Sequence, residues 1–343
     1  MNLPDRIAFT IPGTEFAVYW YAILITLGII AAVVIAGLCA KIRRMPKDTA
    51  IDLCLAAVPL GLIFARLYYV LFELESFTTF ADIINVRSGG LAIPGGIIGG
   101  FLGVCIYSLI KKKRVMGYAD IIAPGLALAQ AIGRWGNFFN QEAYGVAVTN
   151  PKLLFFPFAV RIENCALDGC ECTVAQHGHL ATFFYESMFC LIIFAVLMFL
   201  TVRKKMKHNG DIFLVYALLY SLGRGVIEGF RTDSLMLGEH IRVTQLLCAV
   251  IFVTVVLIIV IRAILEKRAG HVLCAMDYDE YYIPDDSKNV EEVTAEEDLE
   301  HSDSDDDEDE TEFFEDVEDG DGVHTDSEIE NEDSTVTDTD SQD

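Results

Sequence analysis

Two stretches of the chain place arginines beside amides or a carboxylate in otherwise apolar surroundings. Arg224, Glu228 and Arg231 follow one another at i, i+4 and i+7, a spacing that puts them on one helical stripe about 60° wide. Arg134 and Asn137, three residues apart, share a face of another helix. A guanidinium offers a planar fork of donors that matches phosphate oxygens, and it stays protonated where lysine can lose its charge. The spacing predicts a phosphate site, with Glu228 interpreted as the partner that holds one arginine of its stripe.

The elements that must position these side chains are long and apolar. Hydrophobic residues make up 53% of the chain, more than in an ordinary soluble protein. A transmembrane helix needs roughly 20 predominantly apolar residues. The stretches that meet or nearly meet this length are 17–40, 50–72, 89–110, 118–138, 180–202, 212–231 and 241–262. The sequence therefore predicts an all-α integral membrane protein with seven transmembrane helices.

Basic clusters orient the predicted helices. Lysine and arginine concentrate after the first, third, fifth and seventh stretches, at 41–47, 111–114, 203–207 and 262–268. Basic residues favour the cytoplasmic side of a membrane. All four clusters share that side only if there are seven spans and the N-terminus is outside. The segment 139–179, which contains several turn signals, is then a small extracytoplasmic head.

With this orientation the polar side chains converge on the outer half of the bilayer. At 1.5 Å per residue, Arg66 and Arg134 lie roughly 24 Å along helices that run outward. Tyr21 and Pro94 lie within about 8 Å of the outer ends of helices that run inward. Ionisable groups inside membrane spans mark functional sites. The simplest ligand at this depth is the phosphate of an outer-leaflet phospholipid, with Asn137 and Tyr21 contacting its glycerol or ester oxygens.

The charge is divided unevenly along the chain. Residues 271–343 hold 32 of the 50 acidic residues and one base, Lys288, so this tail carries −31 whereas residues 1–270 carry +6. Such a segment cannot bury enough apolar surface to offset its ordering entropy. We expect a membrane domain at 1–270 and a disordered, cytoplasmic acidic tail at 271–343. The first apolar stretch is longer than a signal-peptide core and is expected to remain as the first helix.

The run Gly133–Gly145, GRWGNFFNQEAYG, closely resembles the signature G-R-x-G-N-F-x-N-x-E-x-x-G of bacterial prolipoprotein diacylglyceryl transferases. Further blocks resemble the same family in the same order: Trp20-Tyr21, Gly61 with Ala65-Arg66, the Gly-Gly-Leu-Ala-Ile-x-Gly-Gly run from Gly89, Thr182 with Phe184-Tyr185-Glu186, and Arg224-x-x-x-Glu228-x-x-Arg231. The likeness covers roughly residues 15–265 and excludes the acidic tail.

The resemblance implies a function. The family moves the diacylglyceryl group of phosphatidylglycerol to the lipobox cysteine thiol of a prolipoprotein signal peptide, and glycerol phosphate leaves. It implies a multi-pass protein of the bacterial cytoplasmic membrane that works on lipid and peptide, without nucleic acid, metal or cofactor. The matching motifs imply catalytic roles for Arg134 and Arg224. The residues expected to bind phosphatidylglycerol are Tyr21, Arg66, Arg134, Asn137, Glu142, Gly145, Glu228 and Arg231.

One position departs from the family pattern. Many members have a histidine, considered as a base, where this chain has Pro94. Proline has no side-chain proton acceptor, so the thiol must lose its proton to the leaving phosphate, to water, or with help from Glu142 or Glu228. Pro94 and its neighbouring glycines also predict a break in the third span. Arg66 and Glu186 are left open between structural and lipid-contacting roles.

Two alternatives remain at the level of the sequence. A secondary transporter of anionic solutes also suits membrane arginines and Gly/Pro-rich spans, although no inverted repeat is visible and the polar groups lie on one side of the membrane. In the head, Cys165, Cys170 and Cys172 could form a disulfide with one thiol left over, or bind zinc with His177 and His179.

Overall fold

The computed structural model describes residues 5–13, 17–74, 77, 79–85, 89–161, 178–204, 206–232, 236–237 and 241–269. The acidic tail, Cys165, Cys170, Cys172 and His177 lie outside the described residues. The predicted tail and the predicted chemistry of these cysteines therefore stay predictions.

Each of the seven predicted stretches contains a long helix. The described helices are α1 (Trp20–Ile42), α2 (Thr49–Phe72), the short α3 (Phe80–Ile84), α4 (Ile93–Lys111), α5 (Val115–Asn140), α6 (Thr182–Val202), α7 (Asp211–Glu228) and α8 (Val243–Ala269). Six of them are long and apolar enough to cross a membrane: α1, α2, α4, α5, α6 and α8. The seventh, α7, has 18 residues and includes Asp211, Arg224 and Glu228. The helical membrane class is confirmed, while the count of seven spans stays a prediction.

Short strands lie in the connections between helices. A hairpin of β1 (Ile7–Thr10) and β2 (Ala17–Tyr19) leads directly into α1. The head contains an antiparallel sheet in the order β3 (Ala147–Val148), β5 (Gly178–Leu180), β4 (Ala159–Arg161). A last pair, β6 (Met236–Leu237) and β7 (Ile241–Arg242), precedes α8. The length of the apolar stretches predicts helices that can cross a bilayer. It gives no signal for strands of two to four residues.

The helices α2 and α4 pack backbone to backbone through glycines of α4. A Cβ added at Gly95, Gly99 or Gly103 would overlap backbone atoms of α2, whereas one added at Gly100 would meet its nearest atom only at 3.9 Å. Small residues allow such close approach between membrane helices. The predicted break at Pro94 is wrong, because Pro94 lies in the first turn of α4, where a helix needs no backbone N–H donor.

A buried carboxylate anchors the opposite end of α7 from the arginine stripe. The side chain of Asp120, on α5, accepts hydrogen bonds from the backbone N–H groups of Gly210 (2.7 Å) and Phe213 (2.9 Å) at the start of α7. Arg43 neutralises it at 2.9 Å. A helix leaves its first N–H groups without intrahelical partners. Asp120 therefore fixes where α7 begins, and so fixes the position of the stripe at its far end.

Candidate active site

Glu186 lies at the centre of the polar site, where it joins two helices that the sequence left unconnected. Its Oε1 lies 2.8 Å from Nη2 of Arg134 on α5, and its Oε2 lies 2.8 Å from Nη1 of Arg224 on α7. Its side chain is 3% exposed. The structure thus brings Arg134 and Arg224 together around one carboxylate.

A second carboxylate, Glu228, continues this arrangement along α7. Its Oε2 lies 2.7 Å from Nη2 of Arg224 and 3.8 Å from Nε of Arg231. The ion pairs predicted from the helical spacing are therefore confirmed. Arg242, in β7, donates a hydrogen bond to the backbone oxygen of Glu228. The C-terminal end of α7 is thus surrounded by guanidinium groups.

We refer to these side chains together as the arginine cluster: Arg134, Arg224, Arg231 and Arg242 with Glu186 and Glu228. Four guanidiniums against two carboxylates give the cluster a formal charge of +2. The Arg134 side chain is 21% exposed and the Arg224 side chain 12%, so both are accessible while largely withdrawn from solvent. Charge interactions are stronger in such surroundings than in water. The cluster is suited to bind an anion such as a phosphate diester.

The loop after α5 packs against the start of α6 and the residues that follow α7 through Gly145. The Gly145 N–H donates to the carbonyl of Leu180 at 3.0 Å, and a Cβ on Gly145 would overlap Leu180 and Thr182. The Thr182 hydroxyl in turn donates to the carbonyl of Ala143. Gly145 also forms an antiparallel bridge with Arg231. These contacts give Gly145 a packing role at the site, and its contact with substrate stays a prediction.

Other predicted lipid ligands lie at the N-terminal end of α1 and the C-terminal end of α5. The Tyr21 ring packs directly on Gly136, two residues after Arg134, and its phenol lies within electrostatic range of Arg134 and Glu142. The Asn137 amide donates to Oε1 of Glu142 at 3.1 Å. Tyr21, Asn137 and Glu142 therefore form one edge of the site beside Arg134.

Arg66 has a different set of partners. Its guanidinium donates to four backbone carbonyls of the α2–α4 connection, at 2.6–2.9 Å: those of Asp82, Ile83, Gly89 and Gly90. A guanidinium has five N–H donors, so most of its capacity orders this connection. The geometry favours the structural alternative for Arg66, and its predicted contact with phosphatidylglycerol stays untested.

Comparison with known proteins agrees with this geometry. Residues 6–261 match the sequence profile of the family described as prolipoprotein diacylglyceryl transferase. The chain belongs to this family. It is 43% identical over 268 residues to phosphatidylglycerol–prolipoprotein diacylglyceryl transferase 1 of Clostridium perfringens, covering 78% of this chain and 98% of the relative. The corresponding enzymes of Clostridium kluyveri and Limosilactobacillus reuteri are 42% and 41% identical, over 78% and 73% of this chain and 99% and 89% of theirs.

As a prolipoprotein diacylglyceryl transferase, the chain is an enzyme of lipoprotein biosynthesis. It transfers a diacylglyceryl group to the lipobox cysteine thiol of a prolipoprotein, the first step of lipoprotein maturation. This family membership replaces the transporter alternative. The transferase motif Gly133–Gly145 runs from the end of α5 into the head, so it supplies Arg134, Asn137 and Glu142 to the edge of the arginine cluster.

Three polar side chains in or beside the candidate site were not predicted from the sequence. Arg242 contacts Glu228, Gln245 donates to the carbonyl of Gly225 at 3.1 Å, and the Tyr220 hydroxyl lies 3.5 Å from Oε1 of Glu186. Arg242 carried a signal, since it is an ionisable residue at the outer end of a predicted span. Tyr220 lies four residues before Arg224, on the same helical face. Nothing in the sequence distinguishes Gln245 from an ordinary polar residue at the end of a predicted span.

Among the described residues, no group of three His, Cys, Asp or Glu side chains is arranged to hold a metal ion. His179, one of the residues considered for zinc, lies 3.0 Å through its Nδ1 from the carbonyl of Gly145. This contact places His179 in the packing between the head and the transferase motif.

Proposed function

We propose that phosphatidylglycerol binds with its phosphate against Arg134 and Arg224. The observation that carries this proposal is the single buried carboxylate, Glu186, that holds both guanidiniums at 2.8 Å. Glu186 keeps two like charges close together before a ligand arrives, and Glu228 holds Arg224 from its other side. The net positive charge of the arginine cluster then remains available to the lipid phosphate. Tyr21, Asn137 and Glu142 lie where they can contact the glycerol part of the headgroup.

The reaction follows from this placement. The sulfur of the lipobox cysteine attacks the glyceryl carbon that carries the phosphate ester. A carbon–sulfur bond forms, the carbon–oxygen bond to phosphate breaks, and glycerol phosphate leaves with the thiol proton. Arg134 and Arg224 stabilise the charge that develops on the departing phosphate. A free thiol has a pKa near 8.5, and the same positive charge favours its thiolate.

Glu142 is better placed than Glu228 to accept the proton that the cysteine thiol loses. Glu228 is held by Arg224 and Arg231, and protonation would cost both ion pairs. Glu142 is exposed and accepts hydrogen bonds from the amides of Asn137 (3.1 Å) and Asn140 (3.2 Å). It can therefore take up a proton at the edge of the site without breaking the arginine cluster.

We further propose that α7 is the seventh span, so that the N-terminus faces outward and the four basic clusters face the cytoplasm. Its 18 residues extend about 27 Å at the helical rise, close to the thickness of the hydrocarbon core. Its charged end is covered by Glu186, Arg134 and Arg242, and charges inside a membrane are tolerated when they are paired within the protein. The protein is then a multi-pass protein of the bacterial cytoplasmic membrane. Residues 1–270 form the transferase domain, and the tail 271–343 lies in the cytoplasm.

A direct assay tests the proposed roles. The purified protein is incubated with phosphatidylglycerol and a lipobox peptide, and the diacylglyceryl adduct is measured by mass. We expect Arg134→Ala and Arg224→Ala each to lower the rate at least about 10²-fold, since each removes a donor to the developing charge. Arg134→Lys should recover little, because an ammonium cannot replace the bidentate fork.

Arg203→Ala is the matched control, because Arg203 is an exposed arginine just after α6 that packs over Phe199. It should transfer at the parent rate. Arg134→Ala protein that inserts and still transfers at the parent rate would refute the proposed role of Arg134.

A further inference from the structure

A short segment of the head turns its large apolar side chains outward. Between β3 and β4, residues 153–158 include Phe155 at 51%, Phe158 at 45% and Leu154 at 43% exposure, with Leu153 and Phe156 at 39% each. We call residues 153–158 the apolar loop. A contiguous exposed apolar patch marks a surface that meets a partner or a membrane.

The core beneath the apolar loop is already filled. Phe138, Val160, Ala181 and Phe183 form a buried cluster at the base of the head. The strand β4, which follows the loop, delivers Val160 to that cluster. The outward side chains of the loop are therefore not required to complete the interior.

Two contacts place the apolar loop beside the N-terminal end of α6. The Phe156 ring lies 4.9 Å from the Phe184 ring, and the Tyr185 hydroxyl donates to the carbonyl of Phe158 at 3.0 Å. Phe184 and Tyr185 belong to the first turn of α6, one of the six helices long and apolar enough to span a membrane. The loop thus lies level with the first turn of α6, which directly precedes Glu186.

The loop adjoins an exposed apolar face of α6. Leu191 follows Phe184 by seven residues, so the two share a helical face, and Leu191 is an exposed apolar residue. A lipid that contacts this face of α6 would meet the loop at its outer end.

The backbone of the apolar loop suits an environment with little water. Phe158 and Ala159 donate their N–H groups to the carbonyl of Phe155, at 2.8 and 3.0 Å, and Leu153 donates to the carbonyl of Asn150 at 3.0 Å. Unpaired backbone groups are costly in lipid. These hydrogen bonds lower that cost.

We propose that the apolar loop binds the phospholipid surface, with its side chains in the boundary between headgroups and acyl chains beside α6. Leucine and phenylalanine are typical of surfaces that insert to this depth. The exposed Lys152 at the start of the loop adds an attraction to anionic headgroups. The contact holds the head domain against the bilayer. The inference depends on α6 as a membrane span, and on neither the substrate nor the roles of the arginines.

Depth-dependent fluorescence quenching tests the proposal on the full-length protein in phospholipid vesicles. Phe155→Trp is compared with the parent, so that the signal of Trp20 and Trp135 is subtracted. In vesicles of a phosphatidylcholine brominated on its acyl chain, the added fluorescence should fall by at least about twofold, because a tryptophan at the interface lies next to the chains. Acrylamide in the aqueous phase should quench it weakly.

Arg161→Trp is the matched control. In the sheet, Ala159 pairs with Leu180 and Arg161 with Gly178, so Arg161 lies two residues farther from the start of α6. Its tryptophan should respond to acrylamide and not to bromine. The proposal is overturned if Phe155→Trp behaves in the same way. It is equally overturned if the Phe155→Trp signal becomes protected only when a lipobox peptide is added, since the loop would then bind the peptide.

Discussion

At the scale of single residues, the arrangement around Glu186 decides what the site can do. The common depth of the arginines in their predicted spans predicted that Arg134 and Arg224 serve one phosphate, and the structure places both beside Glu186. The sequence could not assign the carboxylate between them, because Glu186 is 52 residues from Arg134 along the chain and belongs to another helix. Only the packing of α5, α6 and α7 brings the three side chains together.

We expect Glu186→Gln to lower the rate of transfer by about 10²-fold, because loss of the carboxylate lets two guanidiniums separate and small displacements at a reacting centre are that costly. The amide keeps the size of the side chain, so the protein should still fold. The peptide adduct assay measures the rate, and thermal unfolding in detergent checks the fold. Asp52→Asn is the control, since Asp52 pairs with Lys111 at the other end of the helices. Equal rates for Glu186→Gln and the parent would contradict this account of the cluster.

Arg66 shows where reasoning from residue type is weakest. Its depth in a span suggested a lipid ligand, but four carbonyls of the α2–α4 connection surround it. A Cβ on Gly90 would overlap the Arg66 guanidinium. The sequence shows the charge and its depth, but it does not show that a connecting loop folds back to supply acceptors.

At the scale of elements, apolar length predicted all seven long helices, since a bilayer requires it. The prediction for Pro94 was wrong because proline has opposite effects at two positions of a helix. It breaks a helix in the interior, but it is favoured in the first turn. The glycines after Pro94 then allow α4 to lie against the backbone of α2. Pro94 therefore has a structural role in the first turn of α4.

We expect Gly99→Ala to destabilise the protein by about 1–3 kcal/mol, because the new Cβ would overlap the Leu60 carbonyl and force α2 and α4 apart. Gly100→Ala, one residue later, has 3.9 Å to its nearest neighbour and should be tolerated. Thermal unfolding of both variants in the same detergent measures the difference. Identical melting temperatures would show that the close approach of α2 and α4 is not required.

At the scale of the whole molecule, the charge of the chain differs between two regions. Residues 1–270 carry +6, and residues 271–343 carry −31. The positive-inside pattern of residues 1–270 predicts an orientation of the helices. Six helices are long and apolar enough to span a membrane whatever that orientation is. The 18 residues of α7 are long enough for a span but contain three charged side chains, so α7 is not among the six helices identified as spans by length and composition. The proposal that α7 is a span depends on ion pairs that compensate its charged side chains. The sequence predicted such a pair only for Glu228.

We expect deletion of residues 275–343 to leave transfer within about twofold of the full chain, because the family match ends at residue 261 and surface segments outside a fold have small effects. Growth of a strain depleted of its own transferase, together with the adduct assay, measures this. Loss of transfer with normal insertion would assign a function in transfer to the tail.

Alkaline phosphatase fused after Ala269 reports the side of the membrane on which α8 ends. The enzyme is active only outside the cytoplasm, so seven spans with an external N-terminus predict no activity. A fusion at Thr149 in the head should be active. If both fusions are active, an even number of spans separates them and α7 is not a span. Activity at Ala269 alone would reverse the predicted orientation of the basic clusters.

We expect one lipid phosphate to lie between guanidiniums from α5 and α7. An experimental structure with phosphatidylglycerol bound tests it most directly. We predict phosphate oxygens at about 2.7–2.9 Å from nitrogens of both Arg134 and Arg224, the distance of a charge-assisted hydrogen bond. A headgroup bound elsewhere, with Arg134 and Arg224 still engaged only by Glu186 and Glu228, would contradict the claim.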